Sequence, residues 1–293
     1  MIARGPRAAF AAAKINLFLH VGPRGADGYH PIASLMVFAD VGDRLTLDPR
    51  AAAPSLRIGG PFAGSLSDGD DNLVARARAA LAPGEAVALV LDKQLPIAAG
   101  LGGGSADAAA TLRLVNATLA APFPAARLSE LARTLGADVA ACLDGRPVLA
   151  RGRGDRLAPA PPMPVLDAVL ANPGVASATA EVYSAYDASG ASAAADMPAL
   201  PDALADAAAV AELVKATRND LEAPAASLQP AIGAALVALR AEPEALVARV
   251  TGSGATIFAI CADAAAAGRL AGRLADAQPG WWVRACRLGR APQ

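Results

Sequence analysis

The residues best placed to do chemistry lie in positions 96–111, PIAAGLGGGSADAAAT. Gly100, Gly102, Gly103 and Gly104 fall within five positions, and Ser105 follows before a run of alanines. Glycine tolerates positive φ and lets a ligand come close to the backbone. Successive free N–H groups in such a loop make a concave anion nest. The alanine run reads as a helix, whose first turn leaves further N–H groups unpaired. Ser105 is a candidate N-cap or phosphate ligand. A glycine loop running into a helix N-terminus is a phosphate cradle, and the density of glycines favours that over a plain turn. It is not a P-loop, which needs Lys and then Ser or Thr after the last glycine. It fits a dinucleotide fingerprint poorly. A protein-kinase glycine loop precedes a strand and has partner motifs that are absent here.

Other reactive groups are scattered. Residues 11–21, AAAKINLFLHV, alternate like a strand, with Lys14, Asn16, Phe18 and His20 on one face. On the residues alone, Lys14 and Asn16 could simply belong to a solvated strand face. Tyr29 and His30 follow a turn-rich stretch and offer an aromatic plate beside a hydrogen-bonding ring, or plain surface positions. Asp138 stands alone in the apolar run ADVAACL, where a carboxylate either has a partner or caps a short helix. Residues 250–260, VTGSGATIFAI, hold a second glycine loop before a strand, or a hairpin turn.

Positioning these groups takes a specific set of elements. Residues 33–48 read as two strands around Val41 and Gly42. Residues 49–71 read as loop. Asp71 is a candidate cap for the helix that follows. Residues 86–92 form a strand feeding Lys93 and the glycine loop. A helix over 128–135 ends at Gly136, and residues 148–157 read as a hairpin. Pro159, Pro161, Pro162 and Pro164 mark a domain boundary, giving an N-terminal domain over 1–160 and a C-terminal one over 161–293. The second half predicts a strand at 166–170, a short helix within 177–186 and a low-complexity, mobile stretch at 188–201. Helices at 202–215, 228–240 and 263–277 and a strand at 281–287 complete it. Helices and strands mix without regular alternation, so the fold class is α+β.

Composition removes several functions. A net charge of −1 leaves no electrostatic footprint for nucleic acid. No uninterrupted apolar run is long enough to span a membrane. Lys14 and Asn16 interrupt the apolar N-terminal stretch too early for an export signal. Cys142, Cys261 and Cys286 have no metal or redox spacing, which suits a reducing cytoplasm. The expected location is therefore cytoplasmic, and the expected assembly a monomer or weak homodimer.

Three motifs taken together resemble the GHMP kinases: the early strand AAAKINLFL, the loop PIAAGLGGGSADAA and the late TGSGAT. AKINLFLHV, DGYHPIASLM, the DNL at 71–73, GADV at 136–139 and NDLE at 219–222 resemble one branch, which phosphorylates a cytidine diphosphate derivative. The resemblance implies a mixed N-terminal sheet with a left-handed βαβ crossover and a ferredoxin-like C-terminal domain. It implies ATP and Mg²⁺ and a small-molecule acceptor. Lys14 and Asp138 match the family's catalytic pair, with Asp138 as general base. Pro96, Ile97, Ala98, Ala99, Gly100, Leu101, Gly102, Gly103, Gly104, Ser105 and Ala106 match its ATP-phosphate loop. Asn16 matches a residue beside the substrate, Tyr29 and His30 the cytidine-recognition pair, and Tyr183 a second stacking aromatic. Asn72, Leu73 and Lys93 are candidates for the adenine pocket. Ala106 stands where the family often has a second serine, and residues 140–142 are smaller than usual beside the aspartate. Another small-molecule kinase of the family, a nucleotide-binding regulator without catalysis, and a glycine-rich scaffold are the alternatives.

Overall fold

The structure is a computed structural model and describes residues 7–48, 53–64, 66–83, 85–190 and 193–292. It opens with a long antiparallel ribbon, β1 (Ala8–Val21) against β2 (Ile32–Leu47). β1 is buried along nearly its whole length, so the solvated face open to Lys14 and Asn16 does not exist. The two strands expected around Val41 and Gly42 are one. Gly42 lies opposite Ala12, and a Cβ on it would sit 2.1 Å from the Ala11 carbonyl oxygen. That glycine lets two backbones close up within a strand and makes no turn.

β3 (Ser55–Gly59), inside the stretch expected to be loop, runs parallel to β4 (Ala88–Asp92), with α1 (Leu73–Leu81) as their crossover. Five residues with one buried leucine give too short a period to read from sequence. The cap of α1 is Asn72, whose side chain accepts from Val74 N–H at 2.9 Å, one residue later than expected. Asp71 accepts from the Ser67 hydroxyl instead. α2 (Gly103–Asn116), α3 (Ala125–Leu135) and α4 (Ala137–Asp144) follow. The small side chains of Ala106, Ala108, Ala109 and Ala110 let α2 pack closely against β1 and α4. β5 (Val148–Gly152) and β6 (Arg156–Pro159) form the expected hairpin, with β5 on the other edge of β2.

The second half runs β7 (Leu166–Asn172), α5 (Thr179–Ala188), α6 (Ala207–Ala216), α7 (Glu222–Leu228), α8 (Pro230–Arg240), β8 (Ala245–Val250), β9 (Ile257–Cys261), α9 (Ala264–Ala277) and β10 (Trp282–Gly289). The strand order β10-β7-β9-β8, all antiparallel, is ferredoxin-like. Two helices differ from expectation: α6 starts later, at the cap Asp206, and α7 is additional. Within the low-complexity stretch, the carbonyls of Ala194 and Asp196 bond Arg218 and His20, tying down what was expected to be mobile; residues 191 and 192 lie outside the described residues.

The proline-rich passage lies between β6 and β7. β10 nevertheless pairs with both β7 and β2, through Leu288 to Ala39, so one sheet runs through both halves. Of three apolar clusters, one fills the α1–α4 side. A second lies under α7, α8 and α9. The third mixes residues of both halves, including Ile15, Leu35, Leu170 and Phe258. Among the described residues no helix is long and apolar enough to cross a membrane. The three cysteines are free and buried. Burial pushes the Cys142 thiol up to about 12 and that of Cys261 to about 11, which makes both poor nucleophiles.

Candidate active site

The two glycine loops meet at the centre of the molecule. A Cβ on Gly100, which has φ +72, would lie 2.2 Å from the Thr251 carbonyl oxygen and 2.9 Å from that of Gly254. Ala98 adopts φ 50, a conformation that costs a non-glycine residue about 1–3 kcal/mol. Bonds on both sides hold that arrangement: Ser177 N–H donates to Ala98 O at 2.9 Å, and Thr256 N–H to Ala99 O at 3.1 Å. The second loop is both of the things expected of it, a β8–β9 connection and a glycine loop at the site.

Lys14 sits directly under the first loop. Its N–H donates to Leu101 O at 2.8 Å, and a Cβ on Gly102 would come within 3.1 Å of its Cε. The Lys14 ammonium reaches Asp138 Oδ2 at 3.1 Å and donates to Asn16 Oδ1 at 2.8 Å. Asn16 donates in turn to the Ser34 hydroxyl at 2.7 Å, and Ser34 to the Phe18 carbonyl at 2.6 Å. The backbone N–H of Asn16 donates to Thr251 Oγ1 at 2.9 Å. Lys14 and Asn16 are thus buried and held from two sides. The Asp138 side chain stays one-third exposed. Gly136 caps α4, so Asp138 lies in the helix's first turn, at the end where backbone N–H groups favour negative charge.

Ser105 is not an N-cap. α2 begins at Gly103, Gly102 holds the cap in a left-handed conformation, and no side chain closes onto the first turn. The first intrahelical bond runs from Ala106 N–H to Gly102 O at 2.9 Å. The N-terminal turn of α2 is therefore presented to the cleft.

One cleft of about 1020 Å³ gathers almost all the expected residues. Lys14, Asn16, Asp138, residues 96–105, Tyr29, His30 and Tyr183 all line it, together with Gly252 and Ser253. Ala106 is the exception. Its side chain is buried in the N-terminal core and its N–H is spent, so of the expected phosphate loop it alone does not face the cleft. Tyr29 is 57% exposed, with the Arg153 guanidinium 4.7 Å over its ring. His30 stacks against Tyr183, centroids 5.1 Å apart and tilted by 34°. Burial pushes the Tyr183 hydroxyl up to about 12, so it stays neutral. At the other end, Asn72, Leu73 and Lys93 line the cleft beyond the loop.

The sequence reading missed Asp43 and Asp107. Lys93 donates to Asp43 Oδ2 at 2.5 Å and to Asp107 Oδ2 at 2.7 Å, with all three side chains nearly fully buried. The signal was present: an acid within an alanine helix is as anomalous as Asp138 in ADVAACL. The sequence reading also left unexplained the Asn219 amide, which donates to Val250 O and Gly252 O at 2.8 Å and steadies the second glycine loop. No cluster of three or more His, Cys, Asp or Glu suited to a metal occurs among the described residues. Ser105 and Asp138, both lining the cleft beside the loop, are the protein oxygens that could face a phosphate-bound cation.

A ferredoxin-like half joined to a mixed sheet, with a glycine loop over a lysine–aspartate pair, defines a small-molecule kinase of the GHMP type. Models of the GHMP kinases N-terminal and C-terminal domains match residues 72–146 and 197–279. The chain belongs to the GHMP kinases, and ATP is the co-substrate that membership implies. Within them it is a member of the 4-diphosphocytidyl-2-C-methyl-D-erythritol kinases. A protein of that name from Caulobacter vibrioides is 55% identical over 286 residues, covering 96% of this chain and 98% of the relative. A crystal structure of 4-(cytidine 5'-diphospho)-2C-methyl-D-erythritol kinase superposes with a TM-score of 0.75 at 34% identity, covering 96% of this chain and 99% of the other. The homoserine kinase of Cytophaga hutchinsonii, 20% identical with a TM-score of 0.68 over 99% of this chain and 97% of its own, shares the fold.

Proposed function

We propose that this chain transfers the γ-phosphoryl group of ATP to the 2-hydroxyl of 4-diphosphocytidyl-2-C-methyl-D-erythritol, a step of non-mevalonate isoprenoid precursor synthesis. The observation that carries the reading is the Lys14–Asp138 pair, 3.1 Å apart under Gly102, in one cleft with Tyr29, His30 and Tyr183. In this reading the acceptor hydroxyl gives its proton to Asp138. Its oxygen bonds to the γ-phosphorus as the bond to the β-phosphate bridging oxygen breaks, and ADP leaves. Phosphoryl transfer asks for alignment and charge stabilisation more than for covalent chemistry. Lys14, fixed by Asn16, aims the carboxylate and faces the developing charge. The N–H groups of residues 100–105 and the α2 N-terminus hold the phosphates. Mg²⁺, when bound, would supply charge neutralisation at the phosphates, with Ser105 the protein oxygen that could reach it.

An ADP-release assay with the cytidine substrate, homoserine and mevalonate tests the proposal. ADP release with the first alone is the expected result. Release with another acceptor would reassign the substrate. ATP binding without turnover would favour a regulator.

A further inference from the structure

Below the phosphate loop lies a charge cluster that the transfer reaction does not use. Asp43 comes from β2, Lys93 from the end of β4 and Asp107 from the second turn of α2. Lys93 bridges the two carboxylates at 2.5 and 2.7 Å, and the side chains are 4%, 0% and 3% exposed for Lys93, Asp43 and Asp107. The free oxygen of Asp43 accepts the N–H groups of Gln94 and Leu95, at 2.6 and 2.8 Å, which are the last residues before the loop. Asp107 belongs to the helix that leaves the loop. A Cβ on Gly103 would lie 2.9 Å from the Lys93 ammonium, so the cluster also touches the loop itself. Both ends of the loop are therefore tied to one ammonium.

A buried ion triad is weak evidence for stability. Apolar replacements of similar volume are often as stable or more so. The placement here suggests a different use. A cradle of backbone N–H groups binds an anion only while its geometry is held, and in catalysis a misplacement of about 1 Å can cost about 10²-fold in rate. We propose that Asp43, Lys93 and Asp107 are positioning residues that fix the two ends of the 96–105 loop and so set affinity for the triphosphate of ATP. The inference rests on the phosphate-loop reading above, but it concerns binding of ATP alone and can be tested without the acceptor.

The substitution that separates positioning from mere folding is at Asp107. Its Oδ1 has no partner among the described residues. Asparagine can therefore give its oxygen to Lys93 and place its amide where Oδ1 is buried without a partner, leaving Lys93 and Asp43 as a neutral pair. Leucine removes the tie altogether. Calorimetry of ATP binding, with steady-state kinetics and thermal melts in parallel, is expected to give a graded result. Asp107→Leu should weaken ATP binding about ten-fold or more, and Asp107→Asn by a smaller factor. The KM for the acceptor should stay within about two-fold in both variants. ATP affinity unchanged in both, or an equal loss for ATP and acceptor, would overturn the proposal. So would loss of the fold in both, which would make the cluster a fold determinant. Wild-type protein that binds no ATP would instead defeat the phosphate-loop reading.

Discussion

The Lys14 ammonium and Asp138 Oδ2 are 3.1 Å apart, and the backbone of Gly102 lies directly over the pair. β1 brings the lysine and the first turn of α4 brings the aspartate. A Cβ at Gly102 would come within 3.1 Å of Lys14 Cε and 3.8 Å of Asp138 Oδ2. The loop that would hold a phosphate thus presses on the two groups that would act at it. Asn16 and Ser34 take up the lysine's remaining freedom.

Asp138→Asn tests the base. The amide keeps the shape and the contact to Lys14 through its oxygen but cannot accept a proton. Loss of a general base costs about 10²–10⁴ in rate. We expect kcat to fall in that range with ATP affinity little changed. Single-turnover measurements check it, because they report the chemical step. Near-full activity would remove Asp138 from the role.

Two glycines of the loop should separate stability from binding. At Gly100 a Cβ meets Thr251 O at 2.2 Å and the φ is +72, so alanine is both strained and overpacked. Those effects cost on the order of 2–5 kcal/mol together. At Gly104 a Cβ meets only Leu73 Cδ1, at 3.7 Å, and alanine is the better helix former. Gly100→Ala is expected to lower the denaturation midpoint clearly. Gly104→Ala is expected to leave it unchanged or slightly raised and still weaken ATP binding, because its Cβ projects into an exposed position on the cleft. Urea melts and calorimetry on the two variants decide. Full ATP affinity in folded Gly104→Ala would remove that N–H group from the cradle.

These outcomes depend on contacts with unequal visibility in the sequence. The loop, its helix and the α+β class were legible, because glycine density and apolar periodicity are local signals; the ferredoxin-like half was implied only by the family resemblance. The burial of Lys14 was not, since alternation along β1 reads the same whether one face is wet or covered by α2. Gly42 was misread because a glycine in a strand signals a turn and a close backbone approach equally well. β3 was too short to show a period. Asp43 and Asp107 escaped notice because their shared partner, Lys93, is 50 and 14 residues away, and only the packing of α2 on the sheet brings the three together. His30 was legible as a hydrogen-bonding ring, whereas its stacking on Tyr183 depends on α5 folding back over β1.

Stability should carry a mark of the buried triad. Burial holds the Asp107 carboxyl up, to about 7 from its usual 3.8, against the opposing pull of Lys93. Between those values the folded state binds more protons than the unfolded one. This group's contribution is therefore full below the unfolded value and is lost as pH rises through about 7. Asp107→Asn removes the dependence. The melting temperature of the wild type relative to that variant is expected to fall between about pH 4 and about pH 7 and to level off above. A difference that stays constant, or grows with pH, would contradict the raised carboxyl.

The last prediction concerns how the base is read. His30 Nδ1 lies 2.9 Å from the Gly22 carbonyl, which can only accept, so Nδ1 carries the hydrogen. In a neutral ring that leaves Nε2 as an acceptor, and Nε2 lies 3.3 Å from Asp187 Oδ1, a second acceptor. The amino group of cytosine brings hydrogens to such a pair. The matching oxygen of uracil brings none and would face two acceptors. Stacking on Tyr29 or Tyr183 favours both bases alike, at about 1–3 kcal/mol per base in nucleic-acid sites. Unpaired buried polar groups discriminate far more sharply than stacking does. We therefore expect a strong preference for the cytidine substrate over its uridine analogue. Tyr183→Leu should lower kcat/KM for both analogues by similar factors. His30→Ala should narrow the gap, mainly by raising KM for the cytidine substrate. Measuring kcat/KM for both analogues on the wild type and the two variants checks it. If the cytidine preference survives His30→Ala undiminished, the acceptors that read the amino group lie elsewhere, with Asp187 the first to test.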